Sequence, residues 1–193
     1  MRKAMIGMLL VLAPAVWAEV ETLTGGSFES GGYGGPVYKV GLIGDEIGLF
    51  SGGRGGWIIN HTFVVGGGGY STMFDVETDL VDEGGETYYL RMNYGGFEME
   101  YIHNSDRVLH WTVHLTLGGG SASLRLHDPD YTEESDHFYI VEPSVNMDVN
   151  VTDWFRLGFG ASYHAVFGVD LTGMEDSDLG GPSGQIVFKF GHF

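Results

Sequence analysis

Tyr139, Val141, Pro143, Val145, Met147, Val149 and Val151 are all apolar, and they take every second position of one stretch. The residues between them, Phe138, Ile140, Glu142, Ser144, Asn146, Asp148 and Asn150, turn polar after the first two. After Thr152-Asp153 the pattern repeats. Phe155, Leu157, Phe159, Ala161, Tyr163, Ala165 and Phe167 form one face, opposite Arg156, Gly158, Gly160, Ser162 and His164. Period two means strand, and two such runs around a short polar turn mean a hairpin. Soluble sheets average about five or six residues per strand. These runs reach the roughly 9–11 residues that a membrane-crossing strand needs, apolar toward lipid and polar toward the interior.

The N-terminus fits an exported chain. Arg2 and Lys3 precede a short apolar run from Ala4 to Leu12, and Val16 and Ala18 stand where a signal peptidase reads, so residues 1–18 are expected to be a signal peptide. No later run of eighteen apolar residues predicts a membrane helix. There is no cysteine, hence neither a disulfide framework nor a thiol for a lipid anchor. Formal net charge is −17, and more negative still without Arg2 and Lys3. That argues against nucleic acid as a partner, since phosphate binding needs basic surface.

Eight strands are predicted, near 36–43, 46–59, 62–76, 86–102, 108–125, 138–151, 154–168 and 182–193, after a Gly-rich lead-in at 19–35. The fold class is therefore all-β: an eight-stranded antiparallel up-and-down transmembrane β-barrel spanning 36–193. Connection lengths support it. Those near Asn60, Ser105 and Asp153 are short, while 77–85, 126–137 and 169–181 are longer, as in a barrel with short periplasmic turns and long outer loops. Gly44-Asp45 is a short turn on the outer side. Aromatics next to both kinds of connection, Trp57, Tyr101, Trp154 and Phe155 at one end and Phe74, Tyr88, Tyr89, Phe138, Tyr139 and Phe167 at the other, suggest interfacial belts.

The polar phase assigns an interior. A lumen charge network is expected from Arg91, Glu98, Glu100, His110, Glu142, Asp148 and Arg156, with Lys39, Arg54, Asn93, Thr112, His114, Thr116, Asn146, Ser162, His164 and Lys189 on the same surface. Centring the turns on Ser105 and Thr152 pairs Glu100 with His110, Glu98 with Thr112 and Asp148 with Arg156. An eight-stranded barrel is just wide enough for side chains to fill, so a plugged lumen is expected. In the strand predicted at 86–102 the apolar phase switches from Leu90, Met92 and Tyr94 to Phe97, Met99 and Tyr101, which predicts a bulge at Gly95-Gly96. Centring the second hairpin on Asn60 sets Gly52-Gly53 opposite Gly67-Gly68, with Gly95-Gly96 beside Gly66-Gly67.

The chemistry suggested by these residues is modest. His110, His114 and His164 with Glu98 and Glu100 resemble a metal set in composition, but no spacing is diagnostic, so neither metal nor cofactor is expected. Ser162 and His164 share a face, the minimum for a nucleophile and base. The three long connections carry thirteen of the twenty-six acids and no Lys or Arg. They keep the loops hydrated, and their oxygens suit divalent cations bridging to lipopolysaccharide phosphates.

With a signal peptide, eight strands, alternating turns and a terminal Phe193, the chain resembles the small outer-membrane barrels, the membrane domain of outer-membrane protein A and its short relatives. The resemblance covers about 36–193, rests on pattern and transfers no functional residue. Phe-Lys-Phe-Gly-His-Phe at 188–193 resembles the signal read by the barrel-assembly machinery, although Ile186, Phe188 and Phe190 are out of phase with Phe193. The resemblance implies an outer-membrane protein, in contact with outer-membrane lipids and lipopolysaccharide, with a structural or surface-interaction role and no enzymatic activity. A narrow solute channel, an outer-leaflet lipid-modifying enzyme using His164 and a secreted soluble β-protein remain the alternatives.

Overall fold

The computed structural model describes residues 29–126 and 132–193, with 132 and 133 by backbone alone. The signal segment 1–18 and the loop acids Asp128 and Asp130 lie outside the described residues. Nine strands form one sheet: β1 Ser30–Ile43, β2 Glu46–Ile59, β3 Phe63–Thr72, β4 Val76–Val81, β5 Thr87–His103, β6 Leu109–Arg125, β7 Thr132–Thr152, β8 Phe155–Phe167 and β9 Gly181–His192. Among the described residues a single short helix, α1 Asp176–Leu179, sits in the last long connection.

The sheet closes on itself. Every pairing is antiparallel between neighbours in the chain, except that β1 also pairs with β9 and β3 pairs with β5. Strands β3 and β4 both lie along β5, at Asn93–Tyr101 and Thr87–Leu90 respectively, so they are two pieces of one stave. Counting them together gives an eight-stranded up-and-down barrel. Closure through β3 and β5 leaves the short β4, paired only with β5, as the one open edge among the described residues.

The predicted strands all appear, with informative shifts. Strand β1 begins at Ser30, six residues earlier than expected, so part of the Gly-rich lead-in is barrel wall. Glycine had hidden it, because alternation without side chains leaves no hydropathy signal. Gly95-Gly96 holds no bulge: the register with β3 and with β6 runs through it unshifted. Leu90, Met92, Tyr94, Glu98, Glu100 and Ile102 all point inward. What changes along β5 is the interior, which is apolar at the loop end and charged at mid-height.

The other staves repeat this arrangement. Phe50, Leu90, Met92, Phe138, Ile140 and Val166 form an apolar cluster beneath the loops, capped by Leu171 and Leu179. Tyr33, Ile58, Val64 and Ile102 form a smaller cluster at the turn end. Phe193 follows the inward phase of β9 and stacks on Tyr33 at 6.2 Å between centroids, which is why it is out of phase with the outward Ile186, Phe188 and Phe190. Phe138, placed in an aromatic belt by sequence, is inside, whereas Trp57, Trp154, Phe74, Tyr139 and Phe167 are on the outer surface.

The outer wall is apolar on every stave. Val145, Phe159 and Tyr163, at mid-strand, are 57%, 47% and 53% exposed. No second sheet covers Phe159, Tyr163 and Phe167 among the described residues. A monomeric soluble protein rarely exposes contiguous apolar surface on this scale.

Candidate functional site in the barrel lumen

Between the two apolar clusters the lumen holds Lys39, Arg54, Arg156 and Lys189 with Glu98, Glu100, Glu142 and Asp148, all buried. Four cations balance four carboxylates, so the excess negative charge of the chain lies outside the lumen. Each group is inward because it falls on the inward phase of its strand; no loop is needed to position it.

Three linked layers can be traced. Nearest the loops, Lys39 Nζ donates to Glu142 Oε1 at 2.7 Å and to Tyr94 Oη at 3.0 Å. Tyr94 Oη also donates to Glu142 Oε2 at 2.9 Å and lies 2.7 Å from His164 Nε2. The Lys39 ammonium sits 3.6 Å above the Tyr70 ring, a favourable cation–π geometry. At mid-height Glu98 Oε1 accepts from Tyr70 Oη at 2.6 Å and from Thr116 Oγ1 at 3.3 Å, and Glu98 Oε2 is 3.3 Å from His114 Nε2. Toward the turns Lys189 Nζ bonds Glu100 and, at 2.7 Å, Asp148 Oδ2. Tyr33 Oη donates to Glu100 Oε2 at 2.6 Å. Below them the Arg156 guanidinium stacks over Phe193 at 4.0 Å.

Arg54 differs from the other cations. Its three guanidinium nitrogens are buried and make no hydrogen bond among the described residues. It lies in the field of the Glu100 and Glu98 carboxylates. Space for it comes from glycine: a Cβ on Gly68 would come within 3.0 Å of Arg54 Cβ and 2.8 Å of Glu98 Cδ.

Of the expected network, the structure gathers Glu98, Glu100, His110, Glu142, Asp148 and Arg156 inside the barrel. Arg91 is not among them. It points outward at the loop end, where Nε donates to Asp75 Oδ1 at 2.7 Å. Asn93 is outward too. Both were assigned inward because they are polar, yet above the membrane belt the outer face is itself polar.

The expected partners also shift. Glu100 faces His114, Glu98 faces Thr116, His110 faces Asp148, and Arg156 faces Asn150. The β5–β6 turn includes Arg107 and Val108, with Arg107 N bonded to Asn104 O, and each added residue slides the register. The β2–β3 turn has Asn60 and His61 both at positive φ and Thr62 N bonded to Ile59 O. This sets Gly53 against Gly69 and Gly55 against Gly67, and carries the glycine band on to Gly118–Gly120 of β6.

Sequence reasoning missed Tyr33, Tyr70 and Tyr94, whose hydroxyls serve the carboxylates. Tyr33 lies in the lead-in, outside every predicted strand, and Tyr94 falls in the apolar phase, which the sequence assigns to the outer face. His164 does not face lipid: it is buried beside Phe50 and Tyr94, with ring centroids at 5.5 and 5.4 Å. Ser162 Oγ bonds Ser183 Oγ at 2.6 Å, also inside. Among the described residues no three His, Asp or Glu side chains converge as a metal site.

No protein-family model matches the chain, and no curated protein matches it by sequence. Solved structures do resemble it. The N-terminal β-barrel domain of Pseudomonas aeruginosa OprF aligns with a TM-score of 0.55 at 11% identity, covering 84% of this chain and 96% of that one. Neisserial surface protein A aligns with a TM-score of 0.54 at 11% identity, covering 86% and 99%. The fold is that of the small eight-stranded outer-membrane barrels.

Proposed function

We propose that this barrel is an integral outer-membrane protein without catalytic activity. Its lumen is plugged by the charge network, and its role is structural or surface-interacting, exercised through the acidic outer end. One observation carries the reading: apolar side chains cover the outer wall at mid-height while four cations and four carboxylates are buried inside, the inverse of a soluble protein. The surroundings follow. Lipid and lipopolysaccharide contact the wall, the barrel-assembly machinery reads β9, and divalent cations bridge loop acids to lipopolysaccharide phosphates.

The test is gel mobility with and without boiling, on washed outer membranes. Recovery there with a boiling-dependent shift is expected; release as a soluble protein without a shift sinks the reading. The narrow-channel alternative is countered by the apolar clusters above and below the charges. Planar-bilayer recordings with no discrete steps are expected, and steady conductance would favour the channel.

A further inference from the structure

Cations are scarce on the outer wall, and where they stand is selective. Of the nine Lys and Arg, Arg2 and Lys3 lie outside the described residues, four are buried in the lumen and Arg107 is in the β5–β6 turn. The remaining two, Arg91 of β5 and Arg125 of β6, are both on the outward phase at the loop end. Arg91 faces Ser123 and Arg125 faces Tyr89, so the arginines are diagonal neighbours on one face, about 7–8 Å apart at the backbone. Arg91 gives its Nε to Asp75 and keeps a side chain 42% exposed. Arg125 Nε is buried and has no hydrogen-bond partner among the described residues. One row nearer the turns, Asn93 Nδ2 donates to Ser121 Oγ at 3.0 Å, also outward.

A second feature lies directly below them. The next outward positions are Gly119, Gly95 and Gly69, paired in sequence across β6, β5 and β3. They leave a side-chain-free trough in a wall that is apolar on both sides of it. Gly119 stands ten residues from the turn end of β6, Gly95 eight from that of β5 and Gly69 six from that of β3. The row therefore slopes from the arginines down into the apolar belt, as expected where strands tilt by about 35–45°. Other staves lack both features. Ten and twelve residues from the turn end, β1 has Val40 and Leu42 and β8 has Ala165 and Phe167, where β5 has Asn93 and Arg91.

We propose that this face seats a phosphorylated lipid of the outer leaflet, its phosphate on Arg91 and Arg125 and one acyl chain in the glycine trough. Guanidinium forks match phosphate oxygens in pairs. The chain fills a depression that would otherwise forfeit dispersion contacts. A soluble polyanion would answer the arginines alone, and a lipid without phosphate the trough alone. The phosphate meets the protein directly here, without the bridging cation that loop acids require. This inference rests on the outer-membrane reading and gives its lipid contact a place and a headgroup class.

The test uses the full chain in phosphatidylcholine vesicles, with brominated phosphatidic acid as the probe and brominated phosphatidylcholine as the reference. Leu117→Trp, beside the trough, reports contact by fluorescence quenching; Phe167→Trp reports on the opposite wall, and the signal of the unsubstituted chain is subtracted from each. A saturable preference for phosphatidic acid is expected at Leu117→Trp and not at Phe167→Trp. Adding Arg91→Gln and Arg125→Gln to the reporter should weaken that preference about tenfold or more. Arg107→Gln should change it less than about twofold. Gly69→Leu keeps both arginines but fills the trough, and should also weaken the preference. Chelation of divalent cations should leave it unchanged. Equal preference at both reporters, or preference surviving the arginine pair or Gly69→Leu, overturns the seat; so does its loss on chelation, which would assign the phosphate to cation-bridged acids. The boiling shift on the same samples separates the failures. An intact shift without preference removes only the seat, and a soluble sample without a shift removes the membrane reading and the seat with it.

Discussion

Lys39 and Glu142, 103 residues apart in the chain, meet inside the barrel with Nζ 2.7 Å from Oε1. Both side chains are almost wholly buried. Such a pair need add little net stability over apolar residues of equal size, but removal of one partner strands the other charge. Lys39→Met and Glu142→Gln are each expected to destabilise the barrel by about 3–5 kcal/mol. The double variant should recover much of that loss. Urea unfolding in lipid vesicles measures all three, and strict additivity would mean that the two side chains are not energetically coupled.

The inward glycines make a second prediction. A Cβ at Gly120 would collide with the Asn93 carbonyl oxygen and stand 2.6 Å from Phe138 Cζ and 2.7 Å from Tyr94 Cβ, whereas at Gly69 the nearest atom is 3.9 Å away. Gly120→Ala should cost about 1–3 kcal/mol by overpacking the apolar cluster. Gly69→Ala, facing outward, should cost far less. The same unfolding assay ranks them, and equal effects would contradict the assigned phase.

Depth in the bilayer supplies a third. Val145 is exposed at mid-strand and pairs with Ala161. Val145→Arg should destabilise the lipid-embedded barrel by about 2–4 kcal/mol, the cost of a cation at the bilayer midplane. Asn93→Arg, outward at the loop end, should be nearly neutral. If both are neutral, the wall does not face hydrocarbon.

Asp136, on the loop-end extension of β7, ties down the β8–β9 connection by accepting the Asp170 N–H at 2.7 Å. That backbone bond, with one from His137, holds its carboxyl below the usual aspartate range. A depressed folded-state pKa means that the tie is complete above the ordinary carboxylate range and is lost as pH falls through the depressed value. Hydrogen-exchange protection of the Asp170 amide should therefore be steady near neutrality and drop only in strong acid. Asp136→Asn should lower it at every pH above the acid step and abolish that step.

The staves were readable residue by residue. The runs at 138–151 and 154–168 alternate because each strand separates two solvents, and period two records that without reference to any partner. The same rule placed Glu98, Glu142 and Lys189 inside. It failed at Arg91, because the outer wall becomes polar where the strand leaves the belt, and at Tyr94, because the interior there is apolar.

Local pattern thus determined the strands, their number and most of their inward phase, since these depend only on what each residue must face. Tertiary structure decided which buried charges meet. Glu100 lies opposite His114 rather than His110 because the pairing is centred on Arg107 rather than Ser105, which moves each partner by four positions. Lys39 reaches Glu142 because closure of β1 onto β9 brings distant staves across one narrow lumen. Register and closure are sums over the whole chain, and no window of sequence contains them.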